Sequence, residues 1–412
     1  MDQMHAETAP PPPSAVASRP EAPPPPPGLR RYLALDDFQA AARRRLPLPI
    51  YGFIAGGVER DAALRGNHAA FAANALVWRS LVDTSERTTA ASLFGRDYAA
   101  PFGIAPMGAS AVAAYDADRV LAGAAAASGI PFILSGASLT RMEEVIKVNP
   151  AAWFQAYVPG ETPRIEPLVD RVAAAGFDTF VLTVDVPVSG NRENNVRNGF
   201  SIPLRPSPRL AWQGITHPRW LGGTALRTLR HRGMLHLENM DATRGPPMLS
   251  REAVRAFGVR EALNWRHVEL VRRRWPGKLV LKGILAAADA RLARAAGVDG
   301  VIVSNHGGRQ LDSAAAPLDM LPGVVAEAGG MTVMLDGAVR RGTDVLKALA
   351  LGAGFVFIGR PFLFAASVAG APGARHAVRL LREEIERDMA LLGVTRLSEL
   401  GPDFVRRTHT CP

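Results

Sequence analysis

Beyond residue 100 the chain alternates short apolar runs with longer stretches of helical spacing. Runs of strand length fall at 102–105, 131–134, 153–158, 179–184, 279–281, 300–303, 331–335 and 355–358. Between them lie segments such as DADRVLAGAAAASG, AADARLARAAGVDG and TDVLKALALGAG, in which apolar positions recur three and four apart. Buried strands alternating with amphipathic helices predict a parallel α/β sheet, and eight repeats predict a closed (β/α)8 TIM barrel. An open doubly wound sheet is the structural alternative; no GxGxxG follows the first strand, which counts against it. Upstream, DDFQAAARRRLP predicts a short helix capped by Asp36 and stopped near Pro47, and a second helix is predicted over 60–74. The beat fails once. Roughly ninety residues separate the fourth run from the fifth, which predicts a long insertion over 186–278 ending in a helix over 250–274. At the C-terminal end of a barrel strand, such an insertion is where a lid or partner surface lies.

The first 28 residues read differently: ten are Pro, with almost nothing apolar to bury. Such a stretch cannot offset the entropy of ordering and is expected to be an extended, mobile tail, leaving 29–412 as one barrel domain. The single cysteine, Cys411, excludes an intramolecular disulfide, a Cys-rich zinc site and an internal catalytic thiol, and no metal is expected. No apolar run is long enough to span a bilayer, and no secretory signal is expected, so the expected location is cytoplasmic. The formal charge of +10 points to an anionic partner: nucleic acid, a membrane or an acidic substrate. No motif of a nucleic-acid reader supports the first.

In a barrel of this kind chemistry sits at the C-terminal strand ends, and polar residues cluster there. Ser135 closes the second run, Gln155 and Tyr157 the third, Thr183 and Asp185 the fourth. Lys282 ends the fifth, Ser304, His306 and Arg309 follow the sixth, Asp336 the seventh, and Gly359 and Arg360 the eighth. A lysine inside LVLKGI either points into a site that stabilises its charge or snorkels to the rim. Asp185, among apolar neighbours, calls for a cationic partner such as an imidazolium. His306, followed by Gly307 and Gly308, has room for a ligand, and Arg309 offers a fork for a carboxylate. Gly337, Gly342, Gly354 and Gly359 surround Arg340 and Arg360, the pattern of a barrel phosphate site.

SNHGGRQLD, with LTVDVPVSGNRE and LVLKGI before it and LDGAVRRGTDVLKALALGAGFVFIGRP after it, resembles the FMN-dependent α-hydroxy-acid oxidases and dehydrogenases over roughly residues 30–400. The resemblance implies a (β/α)8 barrel with FMN at its mouth and oxidation of an L-2-hydroxy acid to the 2-oxo acid. It makes His306 the base, Asp185 the carboxylate that holds it, and Tyr157 a residue facing the substrate oxygen. Arg192 and Arg309 become the clamp on the substrate carboxylate. Lys282 falls beside the flavin N1 and O2, where charge accumulates on reduction. Ser135, Gln155, Thr183 and Ser304 fall near the ring, Asp336 near the ribityl chain, and Gly337, Arg340, Gly359 and Arg360 at the phosphate. The backbone of Ala105, Pro106 and Met107 passes close to the flavin. The resemblance also implies a homo-oligomer, a tetramer, with quinone or oxygen as acceptor; the acceptor itself is not legible.

Two departures qualify the match. Phe53 stands where the family has a tyrosine on the substrate carboxylate, with Tyr51 two residues earlier; losing such a bond costs about 1.5–3 kcal/mol unless another group replaces it. Ala137 stands where glycolate oxidase has a tryptophan, so a lactate- or mandelate-like substrate is expected rather than glycolate. A flavin-dependent isomerase gives no reason for the His306–Arg309 pair, and an inosine-monophosphate-dehydrogenase-like enzyme needs an internal cysteine. A non-catalytic membrane- or partner-binding barrel remains as a different class. Most of the charge excess sits between 194 and 237, where seven arginines and no acidic residue accompany Trp212 and Trp220. This stretch suits either peripheral contact with an anionic bilayer or a solvated lid that attracts carboxylates.

Overall fold

The computed structural model describes residues 25–201, 207–250, 252 and 260–408. Eight strands form the barrel: β1 (Phe102–Ile104), β2 (Ile133–Ser135), β3 (Trp153–Ala156), β4 (Thr179–Thr183), β5 (Lys278–Ile284), β6 (Gly300–Val303), β7 (Thr332–Asp336) and β8 (Phe355–Ile358). They run parallel in the order β1-β8-β7-β6-β5-β4-β3-β2, and a lone parallel bridge between Ile104 and Phe132 closes the ring. Outward side chains such as Phe102, Leu134, Phe180 and Leu281 pack under the helices. Inward ones, including Ile133, Trp153, Val181, Val280, Met334 and Phe357, fill the barrel, whose N-terminal end is plugged by the hairpin Ala91–Leu93/Arg96–Tyr98. Burial on both faces is why these strands read as unbroken apolar runs.

The predicted barrel is therefore the fold, with strand ends displaced by at most three residues. Three local expectations change. The first helix, Leu35–Arg45, is capped from Asp37 and not Asp36: the Asp37 carboxylate accepts the amides of Leu33 (2.7 Å) and Ala34 (3.0 Å). Asp36 lies inside the first turn, one position too early to reach back. The helix expected over 60–74 is Ala62–Ala72. Of the helix expected over 250–274, residue 252 is helical and Trp265–Arg274 form a helix that starts where Asn264 turns its side chain onto the Arg266 amide; residues 251 and 253–259 lie outside the described residues. So do 1–24, on which the tail expectation mostly falls. Pro27–Leu29 form a helical turn with Leu29 buried.

The insertion carries the helices Glu193–Asn198, Pro208–Thr216 and Arg227–Arg232, with a π-helical turn at Leu221–Leu226. Its arginines are not uniformly free. Arg232 pairs with Asp116 (2.9 Å) and Glu144, Arg197 with Glu193, and Arg227 stacks on Tyr115 at 4.0 Å. Trp220, read above as suited to lipid, instead donates its indole N–H to the Val112 carbonyl at 2.8 Å and packs on the core. Trp212, 63% exposed, keeps that reading open.

Candidate active site

The C-terminal strand ends surround a cavity of about 220 Å³. Strand register sets its floor: Ser135 of β2 lies beside Gln155 of β3, and Thr183 of β4 beside Lys282 of β5. Lys282 does not snorkel. It is buried, and its Nζ is 3.0 Å from Asp336 Oδ2 and donates to Ser304 Oγ at 3.0 Å. Burial pushes its pKa down, but the Asp336 and Asp185 carboxylates outweigh this and raise it, so the ammonium is charged. Ser135 donates to Gln155 Oε1 at 2.9 Å. Among the described residues, three buried polar atoms on this floor have no partner: Gln155 Nε2, Thr183 Oγ1 and Asp336 Oδ1. Such atoms are costly unless a ligand meets them.

His306 stands on a left-handed turn after β6, with φ of 57° there, 62° at Gly307 and 72° at Gly308. A non-glycine residue in that region is strained by about 1 kcal/mol or more, so its surroundings must hold it. Asn305 and Asn67 exchange side-chain hydrogen bonds of 2.8 and 2.7 Å, the Gly308 amide donates to Asn305 Oδ1, and a Cβ at Gly308 would meet the Leu64 amide at 2.6 Å. The turn aims His306 Nδ1–H at Asp185 Oδ1, 2.9 Å away, which leaves Nε2 as the acceptor, 3.5 Å from the Tyr157 hydroxyl. A bulge in β5 makes room for this pair: Gly283, at φ 105°, would place a Cβ 2.5 Å from Asp185 Cγ.

The electrostatics divide the pair. Burial raises the Asp185 pKa, but His306 and Lys282 outweigh it and hold the carboxyl below its ordinary value. Burial lowers the His306 pKa; Asp185 opposes this, while Lys282 and Arg192 add to it, and the net position is below the ordinary histidine value. At neutral pH the site therefore holds a carboxylate and a neutral imidazole.

Five arginines line the cavity, four of them in two groups. Arg192 and Arg309 stand near His306, and among the described residues neither has a carboxylate partner. Burial, then Arg192 and Arg360, drives the Arg309 pKa well down. Across the barrel, Arg360 opens the helix after β8 and donates to the Gly307 carbonyl at 2.7 Å; burial and Arg340 push its pKa down to about 10. Arg340 follows β7, donates to the Val339 carbonyl at 3.0 Å and, among the described residues, has Asp36 as its one carboxylate partner, at 3.4 Å. With Gly337 at φ 107° and Gly359 before the helix N-terminus, this end is an anion cradle.

A family model described as FMN-dependent dehydrogenase matches residues 42–407. The chain belongs to that family. It is 35% identical to the (S)-mandelate dehydrogenase of Pseudomonas putida over 382 residues, 92% of this chain and 95% of that one. It is 36% identical to an L-lactate dehydrogenase of Pseudomonas aeruginosa over 378 residues, 91% and 98% of the two chains. A crystal structure described as the monotopic membrane protein (S)-mandelate dehydrogenase superposes with a TM-score of 0.86 at 35% identity, covering 92% of this chain and all of that one. A mandelate oxidase bound to 2-hydroxy-phenylacetamide gives 0.75 at 34%, covering 91% and 98%. The chain is an FMN-dependent 2-hydroxy-acid oxidoreductase, and the unmet polar floor and the distal anion cradle fit that cofactor.

The fold gathers the residues singled out in the sequence. Ala105, Pro106, Met107, Tyr157, Thr183, Arg192, Lys282, His306, Arg309, Asp336, Gly337, Arg340, Gly359 and Arg360 line the cavity; Ser135, Gln155, Asp185 and Ser304 lie directly behind it. Phe53 also lines it, stacked on Phe200 at 4.3 Å and under the Arg309 guanidinium at 5.4 Å. Tyr51 does not stand in for the missing hydroxyl, because its own is turned to Gln39. One residue escaped the sequence reading. Arg260, in the insertion, lines the cavity against Tyr157.

Proposed function

We propose that the chain oxidises an (S)-2-hydroxy acid with a side chain larger than glycolate's, of the lactate or mandelate class, to the 2-oxo acid. The observation that carries this reading is the neutral His306, oriented by Asp185, in one cavity with the Arg192 and Arg309 guanidiniums, which among the described residues lack a carboxylate. Bound FMN supplies the two-electron acceptor. Ser135, Gln155, Thr183, Lys282, Ser304 and Asp336, with the backbone of Ala105, Pro106 and Met107, would hold its ring and ribityl chain. Gly337, Arg340, Gly359 and Arg360 would hold its phosphate. Arg192 and Arg309 bind the substrate carboxylate, which gives both buried guanidiniums an anion to pair with. His306 Nε2 takes the proton that the substrate carbinol loses, Asp185 stabilises the imidazolium so formed, and the Tyr157 hydroxyl orients the substrate oxygen. Ala137 leaves space for the side chain.

Anaerobic mixing with (S)-lactate or (S)-mandelate should bleach the flavin; an unchanged spectrum across a panel of 2-hydroxy acids sinks the reading. The pH dependence has a definite sign. The neutral imidazole is the working form and its pKa is lowered, so reduction should hold its rate through pH 7 and fall only below the ordinary histidine value of 6.5. A limb centred above 7 would contradict the assignment.

No helix among the described residues is long and apolar enough to cross a membrane. We propose peripheral attachment through the insertion, with quinone or oxygen as acceptor in a homotetramer. Trp212, Ile215, Leu226 and Leu229 are exposed there, and among the described residues Arg219 and Arg230 have no carboxylate partner. Arg219→Gln with Arg230→Gln should weaken co-sedimentation with anionic vesicles by roughly 2 kcal/mol at low salt. Binding that ignores both charge and salt would refute this.

A further inference from the structure

Arg260 is only 5% exposed, yet it is a cation facing the substrate cavity. Its guanidinium lies 5.3 Å from the centroid of the Tyr157 ring, and among the described residues its Nε has no hydrogen-bond partner. Among the described residues no carboxylate pairs with it. Its position is set by the backbone: the Arg260 amide donates to the Pro187 carbonyl at 3.1 Å, and the Leu263 amide donates to the Arg260 carbonyl at 2.9 Å. Burial lowers its pKa, and Tyr157 only partly opposes this. A fixed, dry guanidinium without a counterion is costly, and an anion brought by a ligand removes the cost.

Neither anion already assigned to the cavity suits it. The phosphate cradle follows β7 and β8, whereas Arg260 rests on the residue that follows β3, across the ring from β7. The α-carboxylate has two forks of its own, Arg192 and Arg309. What lies beside Tyr157 is the small-residue wall of Ala109 and Ala137, the space left for the substrate side chain. Three guanidiniums on the substrate side of the cavity call for more than one carboxylate.

We propose that Arg260 is a specificity-determining residue that binds a second carboxylate, on the substrate side chain, so that the enzyme prefers 2-hydroxy dicarboxylic acids. This rests on the reading of the cavity as a 2-hydroxy-acid oxidation site and gives its larger substrate a chemistry. The guanidinium plane, backed by the Tyr157 ring, presents its free N–H groups to that carboxylate.

The test uses the FMN-loaded enzyme with an artificial acceptor and chain-matched pairs: (S)-malate against (S)-2-hydroxybutyrate, and (S)-2-hydroxyglutarate against (S)-2-hydroxyvalerate. At least one diacid should exceed its monoacid about tenfold or more in kcat/KM, chiefly through KM. Arg260→Leu should remove that advantage while changing the monoacids by less than about threefold, and Arg260→Lys should keep part of it. Preference of the wild type for both monoacids overturns the proposal, and so does an equal loss on diacids and monoacids in Arg260→Leu, the signature of a mere support for Tyr157. Should that variant not fold, perturbation of the wild-type flavin spectrum by succinate against butyrate decides: equal or weaker binding of succinate overturns the proposal. Failure of every 2-hydroxy acid to bleach the flavin overturns the underlying reading instead, and the proposal with it.

Discussion

Replacing His306 with alanine is expected to leave a folded, yellow protein whose flavin 2-hydroxy acids no longer bleach. The loss should be about 10²- to 10⁴-fold in the reduction rate, the usual worth of a positioned base. FMN should stay bound, because the unmet polar atoms of Gln155, Thr183 and Asp336 and the distal arginines do not involve the imidazole. The variant also strands Asp185, whose Oδ2 already lacks a partner among the described residues. Its carboxyl then loses the first of the charges that hold its pKa down, so a modest loss of stability should accompany the loss of activity. Stopped-flow absorbance with the wild type as reference measures the first effect, and thermal denaturation the second. Retained bleaching at a comparable rate removes His306 from the base role.

The barrel was legible because its strands are buried on both faces, so each appears as an unbroken apolar run that needs no register argument. The polar strand ends were legible for the same reason: Lys282 stands out against LVL only because everything around it is apolar. What escaped was decided by long-range contact. His306 and Asp185 lie 121 residues apart, and no local pattern joins them; the resemblance did. Trp220 reads as a membrane residue until the Val112 carbonyl, 108 residues away, is found to take its N–H. Arg260 sits in a polar stretch where one more arginine carries no signal. Only the Tyr157 ring and the lack of a counterion among the described residues mark it. Asp36 and Asp37 are equivalent in composition, and a single position along the turn decided which one caps.

Lys282→Met is expected to do the largest damage to the cavity. Lys282 and Asp336 are almost wholly buried, 3.0 Å apart, and Lys282 also donates to Ser304. Removing the cation leaves the Asp336 carboxylate dry and unpaired, a penalty of about 3–5 kcal/mol, visible as a lower melting temperature and as FMN lost on gel filtration. The two readouts separate through a second change. Lys282→Met with Asp336→Leu removes the stranded charge along with its partner, so the melting temperature should recover most of the loss. FMN affinity should not recover, because the buried cation and Asp336 Oδ1 are both gone from the floor. If the double variant melts as early as the single one, the pair is not what stabilises this end of the barrel. If it regains FMN affinity as well, the floor has no part in holding the ring. Any flavin retained by the single variant adds a third reading. Lys282 helps to depress the His306 pKa, so its loss moves the acid limb of the reduction rate to higher pH, toward the ordinary histidine value.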